Sequence, residues 1–134
     1  MRIVVETPRW SFVKYRLTDG KAVRELVSPL PNLFNYGFVE GTMAADGMEE
    51  DAILLGPALR AGARVDAAKV GVVRFIDDGK RDDKIVASAT GGMSLVDRAK
   101  IRVFFTAYAA FKTAHYLVRG HRWALCNFGG LEKS

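Results

Sequence analysis

No apolar run in the first ninety or so residues is more than a few residues long, and Gly, Pro and Asp interrupt the runs repeatedly. That punctuation favours many short strands over long helices. Ile3-Val4-Val5 is a short apolar run, and Phe12-Val13-Lys14-Tyr15-Arg16-Leu17 alternates as a half-buried strand does. Thr18-Asp19-Gly20-Lys21 is a hairpin signal, because Asp-Gly supplies the positive φ angles of a tight turn, and Ala22 to Val27 is the returning strand. Ser28-Pro29-Leu30-Pro31-Asn32 reads as a loop, since its two prolines cannot donate to a ladder. Tyr36 to Val39, Ala52 to Leu55, Val70 to Ile76 and Lys84 to Ala89 are further strands. After Thr90-Gly91-Gly92 the period changes. Ser94 can cap a helix with Asp97 in its first turn, and Val103, Phe104, Ala107, Tyr108, Phe111 and His115 recur at helical spacing. That helix ends near Gly120, and Arg122 to Phe128 is a last strand before a polar tail. The expected fold is α+β, mainly β: a small closed β-barrel with one long helix in the C-terminal half packed on it.

A chain of 134 residues makes one domain, so residues 1–134 are read as a single unit. Hydrophobic residues at 49% and charged residues at 26% exclude a disordered chain. No stretch approaches the roughly 18–20 apolar residues of a membrane span. The single cysteine, Cys126, excludes an internal disulfide and a multi-Cys zinc site, and fits a reducing cytoplasm. The net charge of +5 is a weak pointer to nucleic acid, and Arg98, Lys100 and Arg102 read as a solvated helix surface. Neither a nucleic-acid nor a membrane partner is expected.

The acids are more informative. Asp46, Glu49, Glu50, Asp51, Asp77, Asp78, Asp82 and Asp83 fall in two short windows, each between strands. Crowded carboxylates repel, so cations, nearby Lys and Arg, or water must offset them. Loops can aim carboxylates at one point, and hard cations such as Mg²⁺ take oxygen ligands. Each window alone is better explained as turn chemistry with solvated charge, but the two together are less easily dismissed. An EF-hand does not fit, because the twelfth position counted from Asp46 is Pro57. His115 and His121 have no nucleophile partner at readable spacing.

Val5-Glu6-Thr7-Pro8, Val13-Lys14-Tyr15, Asn35-Tyr36-Gly37-Phe38, the acidic loop 46–51, Val70-Gly71-Val72, Asp77 to Ala87 and Phe104-Phe105-Thr106-Ala107-Tyr108 occur in that order along the chain. This set resembles the soluble family I inorganic pyrophosphatases, which are Mg²⁺-dependent β-barrel hydrolases. The resemblance implies an OB-like barrel of pyrophosphatase type and hydrolysis of diphosphate, or a related phosphoanhydride, by a metal-activated water. It implies Mg²⁺ as the cofactor, with Mn²⁺ as a substitute, and self-association into a homo-oligomer. By position it gives Asp46, Asp51 and Asp82 to a tight metal site and Asp77 with Asp82 to a further metal. Lys14, Tyr36, Lys84 and Tyr108 would contact phosphate oxygens, Lys14 and Tyr36 also serving catalysis, and Glu6 would support the site from behind.

The sequence also departs from the family pattern. Met48 stands where the family has the aspartate that takes a proton from the attacking water, so Glu49, one residue along, is the substitute base. Arg16 replaces a glutamate, Asn32 a tyrosine and Ala109 a lysine, and only Arg24 lies near the place of the phosphate-binding arginine. These changes leave a rival reading open: a catalytically weak relative that binds metal and phosphorylated ligands or acts as an interaction protein.

Overall fold

The structure, a computed structural model, describes residues 1–27, 31–44, 47–118 and 126–133. Strands β1 (Arg2–Thr7), β2 (Val13–Thr18), β3 (Lys21–Val27), β4 (Asn35–Val39) and β5 (Asp51–Leu55) come first. They are followed by β6 (Arg64–Asp66), β7 (Ala68–Asp77), β8 (Lys80–Arg81) and β9 (Lys84–Ser88), then helix α1 (Leu95–Val118) and β10 (Asn127–Lys133). The main sheet runs β10-β7-β9-β5-β4-β1-β6, with β8 paired to β7, while β2 and β3 form a separate two-stranded ribbon.

The expected closed barrel is therefore corrected: among the described residues the sheet is open, with β10 at one end and β6 at the other. The reason lies at β1, which already pairs with β4 on one side and β6 on the other. The β2–β3 ribbon is fastened to it by side chains instead. Thr7 Oγ1 accepts from the Tyr15 amide (2.9 Å) and donates to the Tyr15 carbonyl (3.2 Å), and the Leu17 amide donates to Glu6 Oε2 (2.9 Å). The turn Asp19-Gly20 has φ of 52° and 76°, as the hairpin signal requires.

Alternation along the strands divides the core between the two faces of the sheet. Ile53, Leu55, Val73, Phe75 and Val86 pack against Ile101, Phe104, Phe105 and Ala109 of α1. Ala52, Leu54 and Ala87 face the other way and join Ile3, Val5 and Val39. The helix opens on a reciprocal cap, with Ser94 Oγ accepting from the Asp97 amide and Asp97 Oδ2 from the Ser94 amide, both at 3.0 Å. The expected helix end at Gly120 and the strand start at Arg122 lie outside the described residues. The polar tail expected after Phe128 is instead strand, paired to β7 as far as Lys133↔Gly71. A bulge between Phe128 and Gly130 admits this pairing, and Leu131 packs onto the core. Strands β6 and β8 carry no clear apolar pattern and were not expected.

Candidate functional site

β5 and β9 are the one parallel pair among the described strands, and Ala52 lies opposite Ile85. The residue before each, Asp51 and Lys84, therefore start neighbouring strands at the same end of the sheet. Both lie on the face that carries Ile53 and Val86. The turn after β7 brings Asp82 to the same place. Lys84 Nζ, with only 3% of its side chain exposed, reaches Asp51 Oδ2 at 2.8 Å and Asp82 Oδ2 at 2.6 Å. An ammonium buried this deeply is tolerable only when paired.

The two carboxyls share that cation unequally. Burial pushes both up. For Asp51 the Lys84 ammonium and hydrogen bonds outweigh burial and hold it below the ordinary carboxylate range. For Asp82 burial, together with the nearby Asp51 charge and the hydrogen bond between the two, prevails over Lys84 and leaves it raised. Asp82 is thus the member of the pair that takes a proton first. Tyr36 is held well above the usual phenol range by burial and by Asp51, to which its hydroxyl donates. Glu6 is raised by burial, against the Leu17 amide that bonds it.

Glu6, Tyr36, Asp51 and Asp82 border one cleft of about 510 Å³, with Lys84 buried behind the two aspartates. Both acidic windows contribute, Met48, Glu49 and Asp51 from one, and Asp77, Asp78 and Asp82 from the other. Lys14 also lines it, its Nζ 5.2 Å from the Tyr36 ring centroid. Asp46 lies outside the described residues, as does His121. Glu49 Oε2 accepts from the Gly41 amide at 3.3 Å. Arg16 lines the cleft but pairs with Glu25 at 3.2 Å. Arg24 is exposed on β3, opposite Tyr15. Ala109 is buried in the core. Tyr108 stacks on Phe104, with centroids 5.7 Å apart, and packs against the core cluster rather than lining the cleft.

Two roles were not visible in the sequence. Asp83, between the two site residues, is a clamp: it accepts from Arg74 and Arg81, each at 2.7 Å, and from the Phe75 amide at 3.2 Å. Asp77 is engaged by α1, accepting from Lys112 Nζ at 2.6 Å and the Tyr116 hydroxyl at 2.9 Å, with Cys126 Sγ at 3.5 Å. Lys112 stands four residues after Tyr108, and nothing in the sequence links it to residue 77.

Among the described residues the donor set lining the cleft is carboxylate oxygen, with no thiolate or imidazole, which suits a hard cation such as Mg²⁺. Among the described residues no three acid, His or Cys side chains gather as a ready metal group. Lys84 holds the oxygens of Asp51 and Asp82, so these two fit a divalent ion only where the lysine yields them.

A family model described as "Inorganic pyrophosphatase" matches residues 3–124. The inorganic pyrophosphatase of Gluconobacter oxydans is 36% identical over 91 residues, covering 64% of this chain and 53% of that protein. The soluble inorganic pyrophosphatase of Oryza sativa subsp. indica is 38% identical over 89 residues, covering 63% and 42%. The chain thus spans about half the length of these curated relatives. Among solved structures, the inorganic pyrophosphatase from Helicobacter pylori superposes with a TM-score of 0.82 at 26% identity, covering 100% of this chain and 84% of that one.

Proposed function

This chain belongs to the inorganic pyrophosphatase family, and on that premise we propose that it hydrolyses inorganic diphosphate, or a related phosphoanhydride, to phosphate. The observation that carries the reading is the Asp51–Lys84–Asp82 cluster at the floor of a cleft to which both acidic windows contribute. Asp51 and Asp82, with Asp46, would hold Mg²⁺, and Mn²⁺ would substitute. The chemistry such an ion supplies is neutralisation of substrate charge and a lower pKa for the attacking water.

The chain's own residues do the rest. Diphosphate is a dense anion, and Lys14 and Lys84 offer N–H donors to its oxygens. With Asp51 and Asp82 holding the ion, Lys84 would be free to donate to substrate oxygens. Tyr36, kept protonated, remains a donor throughout the working pH range. Tyr108 acts from the core behind the cleft, by packing on Phe104, and Glu6 holds β2 in place through Leu17. Glu49 accepts the proton of the attacking water beside the thioether of Met48, which cannot. General-base assistance contributes about 10²–10⁴-fold, and the substitution of base makes turnover slow.

The hydrophobic clusters sit on two faces of one sheet, which supports a single domain over 1–134. The lone Cys126 supports a cytoplasmic protein. Val96, Val103 and Leu117, exposed on α1, support self-association. Among the described residues no helix is long and apolar enough to cross a membrane.

The test is phosphate release from pyrophosphate with Mg²⁺, against Asp51→Ala. Met48→Asp should raise the rate, and Glu49→Gln should remove most of it. A wild type no faster than Asp51→Ala would refute the hydrolase reading.

A further inference from the structure

We infer that Lys112 is a phosphate-binding cation of the cleft and that Asp77 positions it, rather than serving as a metal ligand. This rests on the proposed function for the identity of the anion.

Asp77 ends β7 and points at α1. Both of its oxygens are used by protein donors: Oδ2 by Lys112, and Oδ1 by the Tyr116 hydroxyl and Cys126 Sγ. Lys112 and Tyr116 are four residues apart on α1 and therefore share one helix face. A helix that presents two donors to one carboxylate fixes that carboxylate in place. Asp77 is also mostly enclosed, with 19% of its side chain exposed. A divalent ion at Asp77 would have to displace a 2.6 Å charge-assisted bond and a phenol together.

Lys112 gains from the same arrangement. Only 14% of its side chain is exposed, yet it lines the cleft. Its Nζ lies 5.7 Å from the Tyr108 ring centroid and 5.5 Å from that of Tyr116, so two aromatic rings and Asp77 restrict where the ammonium can sit. An ammonium has three N–H donors; Asp77 takes one and the Tyr116 hydroxyl a second, which leaves one for an incoming anion. Lys84, buried behind the cleft, has its charge shared between Asp51 and Asp82. Lys112 answers to one carboxylate where Lys84 answers to two, so it keeps the greater share of its charge for an incoming anion. A lysine held in this way presents positive charge without the entropy of ordering a long side chain at the moment of binding.

The experiment is calorimetric titration of inorganic phosphate, and separately of Mn²⁺, into wild type, Lys112→Gln, Lys112→Arg and Asp77→Asn. Lys112→Gln should weaken phosphate binding by about tenfold or more, and Lys112→Arg should restore most of it. A lysine that serves only to brace the helix would not show that split. Asp77→Asn should weaken phosphate by a smaller factor and leave the number of Mn²⁺ bound unchanged. The inference is overturned if Lys112→Gln binds phosphate as wild type does, or if Asp77→Asn lowers the Mn²⁺ count by one. The two Lys112 variants decide the matter even where Asp77→Asn fails to fold. Failure of the hydrolase reading looks different: wild type would release no phosphate from pyrophosphate, yet bind phosphate in a Lys112-dependent way.

Discussion

Replacing Lys84 by methionine keeps the length of the side chain and removes its charge, which leaves Asp51 and Asp82 facing each other. Removing one partner of a buried ion pair costs about 3–5 kcal/mol when the remaining charge is fully buried. Here the carboxylates are 33% and 29% exposed, so water screens part of the repulsion. Asp82, already raised by burial and by Asp51, can also take up a proton. The expected cost at neutral pH is therefore lower, about 2–3 kcal/mol. For a chain of this size that corresponds to a fall in melting temperature of about 6–12 °C. Thermal unfolding followed by circular dichroism reads it directly. Two further features identify the cause. Millimolar Mg²⁺ should raise the melting temperature of Lys84→Met by more than that of wild type, because a divalent ion binds the exposed pair and stabilises by linkage. Acid should close the gap, Asp82 protonating before Asp51. If Lys84→Met melts within about 2 °C of wild type at pH 7, or if Mg²⁺ favours neither protein, the ammonium is not offsetting the carboxylates and the account of the cleft floor is wrong.

Other perturbations test the frame around the cleft. Gly37→Ala would place a Cβ 1.8 Å from the Val4 carbonyl oxygen, so it should separate β1 from β4 and abolish cooperative unfolding; a normal melting curve would contradict this. Thr7→Val removes both bonds to Tyr15 and should cost about 1–3 kcal/mol, read from urea midpoints. Burial pushes Asp83 up, but Arg74, Arg81 and the Phe75 amide hold it below its ordinary 3.8. A depressed carboxyl adds stability above its unfolded pKa and loses it as the pH falls through the folded value. The deficit of Asp83→Asn should therefore be full at pH 7 and shrink below about pH 3.8, as melting at several pH values would show.

Much of this was legible from residue patterns. The Asp19-Gly20 turn, the Ser94–Asp97 cap and the alternation of β2 all depend on local chemistry, and local chemistry is written in neighbouring residues. The demand for glycine at 37 was not legible, because the Val4 carbonyl that crowds it belongs to β1, far off in the chain. Barrel closure was not legible, since it depends on whether β1 has an edge to spare, and β6, which takes that edge, is three residues without an apolar signature. Nor was the division of labour among the acids. Asp77, Asp82 and Asp83 are alike in sequence, and only the chain's long-range contacts show one held by α1, one by Lys84 and one by two arginines.

The parallel pairing of β5 with β9 has a consequence in time. Parallel neighbours cannot be joined by a tight turn, and Asp51 and Lys84 are separated by 33 positions, with β6, β7 and β8 threaded between them. Closing so large a loop is entropically uphill until the intervening strands have docked. The cleft is therefore assembled only when β9, carried by its pairing with β7, is laid against β5. Where that step follows the transition state, anything that steadies the charges leaves the folding rate alone and slows unfolding. Occupancy of the cleft would set how long the native chain lasts rather than how fast it forms.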